Sequence, residues 1–238
     1  MSIPALKFCP LPMIGDLDIF WKQIDLVMLD MDGTLLDRHF DDYFWEHFVP
    51  GVFALNNQLS SSEAKQRLLK KYQAREGTLA WTDLDFWSDE LGLDIPSLKR
   101  QVDHLIAVHP YVLAFLEYCR KQGKMIWLVT NAHSKTLEIK MAKTAMQDHF
   151  DRLICAEEVG VAKEDANFWE RLQSVHKYNP RRTLLVDDTE KVLISAALGG
   201  IEKLIYVARP SSRAAVMPSQ RFASITYFQE LIPALMGR

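Results

Sequence analysis

The sequence predicts an α/β protein on a parallel sheet, interrupted early by an all-helical insertion. The first observation behind this is a series of short apolar runs: Leu26–Leu29, Lys124–Thr130, Leu153–Cys155, Thr183–Val186 and Leu204–Val207. They are continuous rather than alternating, as befits strands covered on both faces. From Pro110 onward these runs alternate with helical segments, which implies right-handed crossovers between parallel strands. Between the first and second runs, the third observation, residues 41–107 carry helix starts and stops but no convincing strand.

Residues 1–20 read as a leader that lies over the core or is loosely ordered; prolines and aspartates interrupt its apolar stretches, so no signal peptide is expected. After the first strand, Leu35–Asp42 reads as a connector leaving the sheet. The insertion opens with Asp41-Asp-Tyr-Phe-Trp-Glu-His-Phe48, acids at the positive end of a helix. Ser60-Ser-Ser-Glu63 is a capping box for a polar helix to about Glu76. Asp83 caps a helix that stops at Gly92, and Pro96 sits in the first turn of the next, with Leu98, Val102, Leu105 and Ile106 at helical spacing. Further helices are expected over Pro110–Gln122, Ser134–Thr144, Glu164–Tyr178 and Glu190–Leu198, with a last one near Phe228–Met236. The expected division is a core of residues 1–37 and 109–238 around a helical unit of residues 38–108.

Composition narrows the function. With 48% hydrophobic and 25% charged residues the chain is an ordinary globular one, and a net charge of −3 offers no basic footprint for nucleic acid or an anionic membrane. Nowhere does an apolar run reach the length of a membrane span. Cys9, Cys119 and Cys155 lack metal-type spacing and form no disulfide framework, so a cytoplasmic setting is expected. Composition leaves the oligomeric state open, with a monomer slightly favoured.

Chemistry concentrates where strands end. Asp30 and Asp32 follow the first run, with Gly33 allowing a sharp turn. In an open α/β sheet ligands bind at the carboxyl ends of strands, and two acids there invite a hard divalent cation such as Mg²⁺. Thr130-Asn131 ends the second run ahead of a helix, either as a simple helix cap or as an anion site. Lys163, solvated surface residue or counter-charge, precedes the helix expected at Glu164. Asp187-Asp188 closes the fourth run, where paired acids are costly without a cation.

In that order, Asp30/Asp32, Thr130, Lys163 and Asp187/Asp188 resemble the four motifs of the haloacid dehalogenase superfamily, beginning with D-x-D-G-T. The helical block between the first two motifs resembles the C1 cap of that family's subfamily I. The resemblance implies a Rossmann-like three-layer core. It implies Asp30 as nucleophile, Asp32 as general acid and base, and Mg²⁺ held by Asp30, the Asp32 carbonyl and Asp188, with Asp187 as an additional ligand. Thr130, Asn131 and Lys163 would carry the phosphoryl charge. Aspartate at position 32 implies phosphoryl rather than dehalogenase chemistry. Val192 departs from the family pattern, which often has an acid there.

Phe40-Asp-Asp-Tyr-Phe-Trp45, Leu84-Asp-Phe-Trp87, Thr130-Asn-Ala-His133 and Arg182-Thr-Leu-Leu-Val-Asp-Asp188 are similar to segments of bacterial nucleotidases of this family. That similarity implies hydrolysis of purine nucleoside 5′-monophosphates such as GMP and IMP. Asp41, Phe44, Trp45 and His133 are then candidate substrate contacts, although an aromatic in such a block also serves the block's own core. A sugar-phosphate phosphatase or phosphomutase would keep the same motifs. A binding protein of this fold would be expected to have lost Asp30, Asp32 or Lys163.

Overall fold

The computed structural model describes residues 17–233. Most of the expected leader, Cys9 and the end of the expected last helix lie outside these residues. A parallel sheet is built from β1 (Leu26–Leu29), β2 (Met125–Thr130), β3 (Arg152–Cys155), β4 (Thr183–Asp187), β5 (Lys203–Val207) and β6 (Ala223–Ile225), in the order β3-β2-β1-β4-β5-β6. β1 is central, with Leu29 paired to Leu128 of β2 on one side and to Val186 of β4 on the other. The strand order reverses between β1 and β4, which opens a crevice at their carboxyl ends.

The two faces of the sheet bury different clusters, because successive strand residues point to opposite sides. Val27, Leu29, Ile126, Leu128, Leu184 and Val186 face one cluster; Leu26, Met28, Trp127, Val129 and Leu185 face the other. The first is covered by α7 (Val112–Lys121) and α8 (Ser134–Thr144), which contribute Phe115, Leu116, Leu137 and Met141. The second is covered by α10 (Phe168–Val175) and α11 (Glu190–Leu198), through Trp169, Leu172, Leu193 and Ala196. The result is the expected three-layer α/β/α core.

α1 (Leu17–Lys22) precedes β1, the short α9 (Ala156–Val159) follows β3, and between β1 and β2 the chain is helical. The helix α2 (His39–Tyr43) passes through a π-helical turn, Phe44–Phe48, into α3 (Val49–Asn56). α4 (Ser61–Gln73) starts with the capping box: Ser60 Oγ accepts from the Glu63 N–H, and the Glu63 carboxylate accepts from the Ser60 N–H at 3.0 Å. Asp83 accepts from the N–H groups of Asp85 and Phe86 to start α5 (Leu84–Leu91), which ends at Gly92 with φ 64°. α6 (Ile95–Gln101) follows, capped by Asp94. The two crossings between sheet and helices run side by side, Leu36 bridging to Val108 and the Asp37 N–H donating to Ala107.

Several elements differ from the sequence expectation. β6 is added at the sheet edge, where Ala-Ser-Ile lacks a hydrophobic run and only pairing to β5 makes it a strand. The helix expected over Glu164–Tyr178 is confined to Phe168–Val175, leaving Lys163 and Glu164 in a loop. In the tail, the expected helix is a single 3₁₀ turn, Phe228–Leu231, within the described residues.

Candidate active site

Lys163 organises the crevice. Its ammonium donates to Asp30 Oδ1 at 2.5 Å, to Asp187 Oδ2 at 2.8 Å and to the Val129 carbonyl at 3.0 Å. The side chain is 2% exposed. Burial alone would lower its pKa, but Asp187 and Asp30 outweigh burial and hold it above the ordinary lysine value. The loop carrying it is tied down at both faces. Asn131 Oδ1 accepts from the Lys163 N–H at 2.9 Å, and Ser195 Oγ, which accepts from Trp169 Nε1 at 2.9 Å, bonds the Lys163 carbonyl at 2.5 Å.

Asp30, Asp187 and Asp188 are buried, and their carboxylate oxygens lie within 4.8 Å of one another. Asp30 is a strand-end residue whose N–H still donates to Val186 across the β1–β4 seam at 3.1 Å. Burial lifts Asp30 to about 6 against the pull of Lys163, and burial together with Asp30 and Asp187 lifts Asp188 well above the carboxylate range. The buried ammonium pairs with two of these three carboxylates, and the half-exposed Arg38 reaches the third, Asp188, at 3.2 Å. The excess is negative and the donors are all oxygen, so these residues fit a hard divalent cation such as Mg²⁺. Gly33, at φ 87°, lets the Asp188 carboxylate approach so closely that a Cβ there would collide with it. The strand-end motifs separated by more than 150 residues in sequence, Asp30 and Asp188, are therefore neighbours in space.

Asp32 lies on the opposite side of the turn. Its Oδ1 accepts from Lys140 Nζ of α8 at 2.5 Å, and the same ammonium donates to Asp41 Oδ2 at 2.5 Å. Lys99 of α6 donates to Asp41 Oδ1 at 2.9 Å. Burial lifts Asp32 to about 6 against Lys140, with the neighbouring Asp41 adding to the lift. Burial pushes Asp41 upward too, but Lys140 and Lys99 together hold it below the ordinary range. Thr130 Oγ1 accepts from the Ala132 N–H at 3.0 Å and shapes the loop after β2.

Above these groups a cavity of about 550 Å³ separates sheet and helices, and Asp30, Asp32, Thr130, Asn131, Lys163, Asp187 and Asp188 all line it. On the helical side it is lined by Trp45, Tyr72, Trp81 and Trp87, with Glu46 and Glu76. Among the expected substrate contacts, Trp45 and Asp41 reach this cavity and two others do not. Phe44 is fully buried in the hydrophobic core, its ring 4.7 Å beneath the Lys99 ammonium. His133 caps α8, its Nδ1 accepting from the Lys135 N–H, and its Nε2 lies 3.4 Å from Glu157 and 3.7 Å from Asp83. Each oxygen of Asp41 accepts from one lysine, Oδ1 from Lys99 and Oδ2 from Lys140, which uses half of the carboxylate's acceptor capacity.

Lys140, Lys99 and Ser195 were not among the sequence candidates. Lys140 lies in the predicted helix Ser134–Thr144, ten residues after Thr130, and its periodicity with Leu137 and Met141 on the buried face was the available signal. Cys119 and Cys155 are free and buried, and no helix of the described residues is long and apolar enough to cross a membrane.

Comparison with known proteins agrees with this geometry. A family model for haloacid dehalogenase-like hydrolases matches residues 24–200. The GMP/IMP nucleotidase YrfG of Escherichia coli is 36% identical over 220 residues, covering 92% of this chain and 99% of that protein. The pyrimidine 5′-nucleotidase YjjG of the same organism is 33% identical over 120 residues, about half of each chain (48% and 52%). In three dimensions, the crystal structure of a HAD phosphatase from Thermococcus onnurineus covers 90% of this chain and 99% of its own, with a TM-score of 0.70 at 23% identity.

Proposed function

From the premise that this chain belongs to the haloacid dehalogenase-like hydrolase family, we propose that it is a Mg²⁺-dependent phosphomonoesterase acting on purine nucleoside 5′-monophosphates. The observation that carries the reading is the meeting of Asp30, Asp187 and Asp188 with Lys163 at the carboxyl ends of β1 and β4, beneath an aromatic-lined cavity.

In this reading Asp30 attacks phosphorus in line and forms an aspartyl-phosphate, which splits one difficult displacement into two. Its second oxygen is held by Lys163, which keeps the attacking oxygen oriented. Asp32, lifted to about 6, is able to hold a proton near neutrality and donate it to the departing alkoxide. It then takes a proton from the water that hydrolyses the acyl phosphate. Lys163, Thr130 and the Asn131 backbone would carry the charge of the transferring oxygens. Bound Mg²⁺, held by Asp30, Asp188 and the Asp32 carbonyl with Asp187 in support, would supply charge neutralisation for the phosphoryl oxygens.

The purine assignment is supported by the likeness to the GMP/IMP nucleotidase and by the walls of the cavity. A volume of about 550 Å³ suits a nucleotide. The indole faces of Trp45 and Trp81 offer stacking surfaces, and Glu46 and Glu76 are acceptors suited to the N–H edge of a 6-oxopurine. The same proposal includes the division into a core of residues 1–37 and 109–238 and a cap of residues 38–108, and a cytoplasmic enzyme.

Phosphate release from GMP, IMP, AMP, CMP, UMP and several sugar phosphates, with Mg²⁺ and with chelator, tests this. Preference for GMP and IMP is the expected result. Activity confined to sugar phosphates would remove the nucleotidase assignment and keep the hydrolase. Release unaffected by chelator would remove the metal.

A further inference from the structure

The phosphatase reading leaves Lys140 without a task, although its side chain is only 1% exposed. Such burial of a charge is costly unless partners replace water completely. The partners come from two separate parts of the fold. Asp32 belongs to the turn after β1, whereas Asp41 belongs to α2 of the helical block. Lys140 itself projects from α8 of the core, with its ammonium 5.2 Å from the Phe40 ring. Behind Asp41 stands Lys99 from α6, 4.9 Å from Phe40, 4.7 Å from Phe44 and 5.6 Å from Trp45. These aromatic faces give Lys99 a cation–π seat and keep it directed at Asp41.

Asp32, Asp41, Lys99 and Lys140 therefore make a neutral four-charge cluster spanning core and helical block. It is closed by geometry: one ammonium bonds both carboxylates at the same distance, 2.5 Å. If the helical block moved away with Asp41, Lys140 would keep one carboxylate and lose the other. Asp32 would then become its sole anionic partner in the cluster, and its orientation would no longer be balanced from the opposite side. Cap position and acid orientation are thus coupled through one side chain.

We propose that Lys140 is a positioning residue: shared between Asp32 and Asp41, it holds the Asp32 carboxyl in working orientation only while the helical block is seated over the site. This rests on the role given to Asp32 above. As Asp30 forms its bond to phosphorus and the ester P–O bond breaks, Asp32 hands its proton to the leaving alkoxide oxygen. As water attacks the aspartyl-phosphate, Asp32 takes the water's proton and the Asp30–phosphorus bond breaks, which regenerates both aspartates.

Two leaving groups separate positioning from general damage. An alkyl ester such as GMP, or whichever alkyl phosphate the wild type hydrolyses fastest, needs its alkoxide protonated. p-Nitrophenyl phosphate releases nitrophenolate without that proton. In full-length Lys140→Met, kcat on the alkyl ester should fall by roughly 10²-fold with KM nearly unchanged, the size of a misplaced general acid. The pre-steady-state burst of nitrophenolate should stay within about threefold of wild type, since it reports phosphorylation of Asp30 alone. The nearly isosteric Asp41→Asn should show the same pattern at about tenfold, and the double variant should be no worse than Lys140→Met alone. Asp41→Asn carries the comparison if Lys140→Met does not fold. Equal losses on both esters, a change confined to KM or to the thermal midpoint, or additive losses in the double variant would overturn the proposal. A wild type that hydrolyses neither ester would overturn the phosphatase reading itself.

Discussion

Two buried lysines in this molecule each bridge two aspartates, and they do opposite things. Lys163 joins Asp30 to Asp187 within the core, at the ends of two adjacent strands. Lys140 joins Asp32 of the core to Asp41 of the helical block. Around Lys163 the balance is negative, because Asp188 adds a third carboxylate and only a half-exposed Arg38 answers it. Around Lys140 the balance is neutral, because Lys99 answers Asp41. The carboxyl groups respond in part accordingly: burial and crowding lift Asp30 and Asp188, and the two lysines hold Asp41 down against its burial, while Asp32, bonded to Lys140 alone, is still lifted by burial to about 6. A cluster with surplus negative charge is suited to receive a cation, and one that satisfies itself is suited to hold parts together. Charge count, rather than the lysine–aspartate pair, separates the two roles.

The largest effect should come from the nucleophile. Asp30→Asn is expected to lose at least about 10⁴-fold in kcat while remaining folded, since covalent catalysis ends with the carboxylate. Its stability should move the other way from that of Asp41→Asn in metal-free buffer. Removing a carboxylate from the overcrowded cluster should stabilise by about 1–3 kcal/mol, while removing one from the neutral cluster should destabilise by a similar amount. Chemical denaturation of both variants measures this, and a shared sign would break the comparison.

Lys163→Met should cost roughly 10³-fold in kcat, since a fixed donor to the phosphoryl oxygens is lost. It should also destabilise by about 3 kcal/mol or more, because Asp30 and Asp187 stay buried without their cation. Saturating Mg²⁺ should restore part of that stability but little of the rate.

The pH dependence tests the cation site itself. A carboxyl whose folded pKa is raised binds a proton that the unfolded chain has already released. Its stabilising contribution is therefore full below about pH 4 and is lost as pH rises through about 6, the value for Asp30 and Asp32. Metal-free protein should thus lose stability across that window. Mg²⁺ competes with protons for the same oxygens, so its thermal shift should be larger at about pH 7.5, on the order of 5–10 °C, than at about pH 5. Equal shifts at both pH values, read by calorimetry, would remove the cation from the Asp30 cluster.

The smallest effect belongs far from either lysine. Ser60→Ala removes the cap of α4 and should cost about 1 kcal/mol with kcat unchanged. A change in turnover there would mean that α4 influences the site through Tyr72 and Gln73, which line the cavity.

Much of this molecule is legible in the chain. Continuous apolar runs mark β1, β2, β4 and β5, because a strand buried on both faces needs no alternation. Ser60, Asp83 and Gly92 mark helix ends through local hydrogen bonds and a positive φ, which depend on near neighbours alone. The acids at strand ends stand out because paired carboxylates after an apolar run demand compensation. Other features were decided by distant residues. β6 exists because β5 offers it an edge, and the helix after Lys163 starts only at Phe168, leaving Lys163 in a loop that Asn131 and Ser195 anchor from other elements. Phe44 and Trp45 are adjacent in sequence and both face Lys99, yet one is fully buried in the core and the other lines the cavity. Lys140 and Asp32 are 108 positions apart, and the spacing of Lys140 with Leu137 and Met141 marks a buried helix face without naming the carboxylates it meets. Strands, caps and acid pairs follow from short-range sterics and the cost of burying charge. The partner each charge finds depends on chain crossings that only the packed sheet and helices bring together.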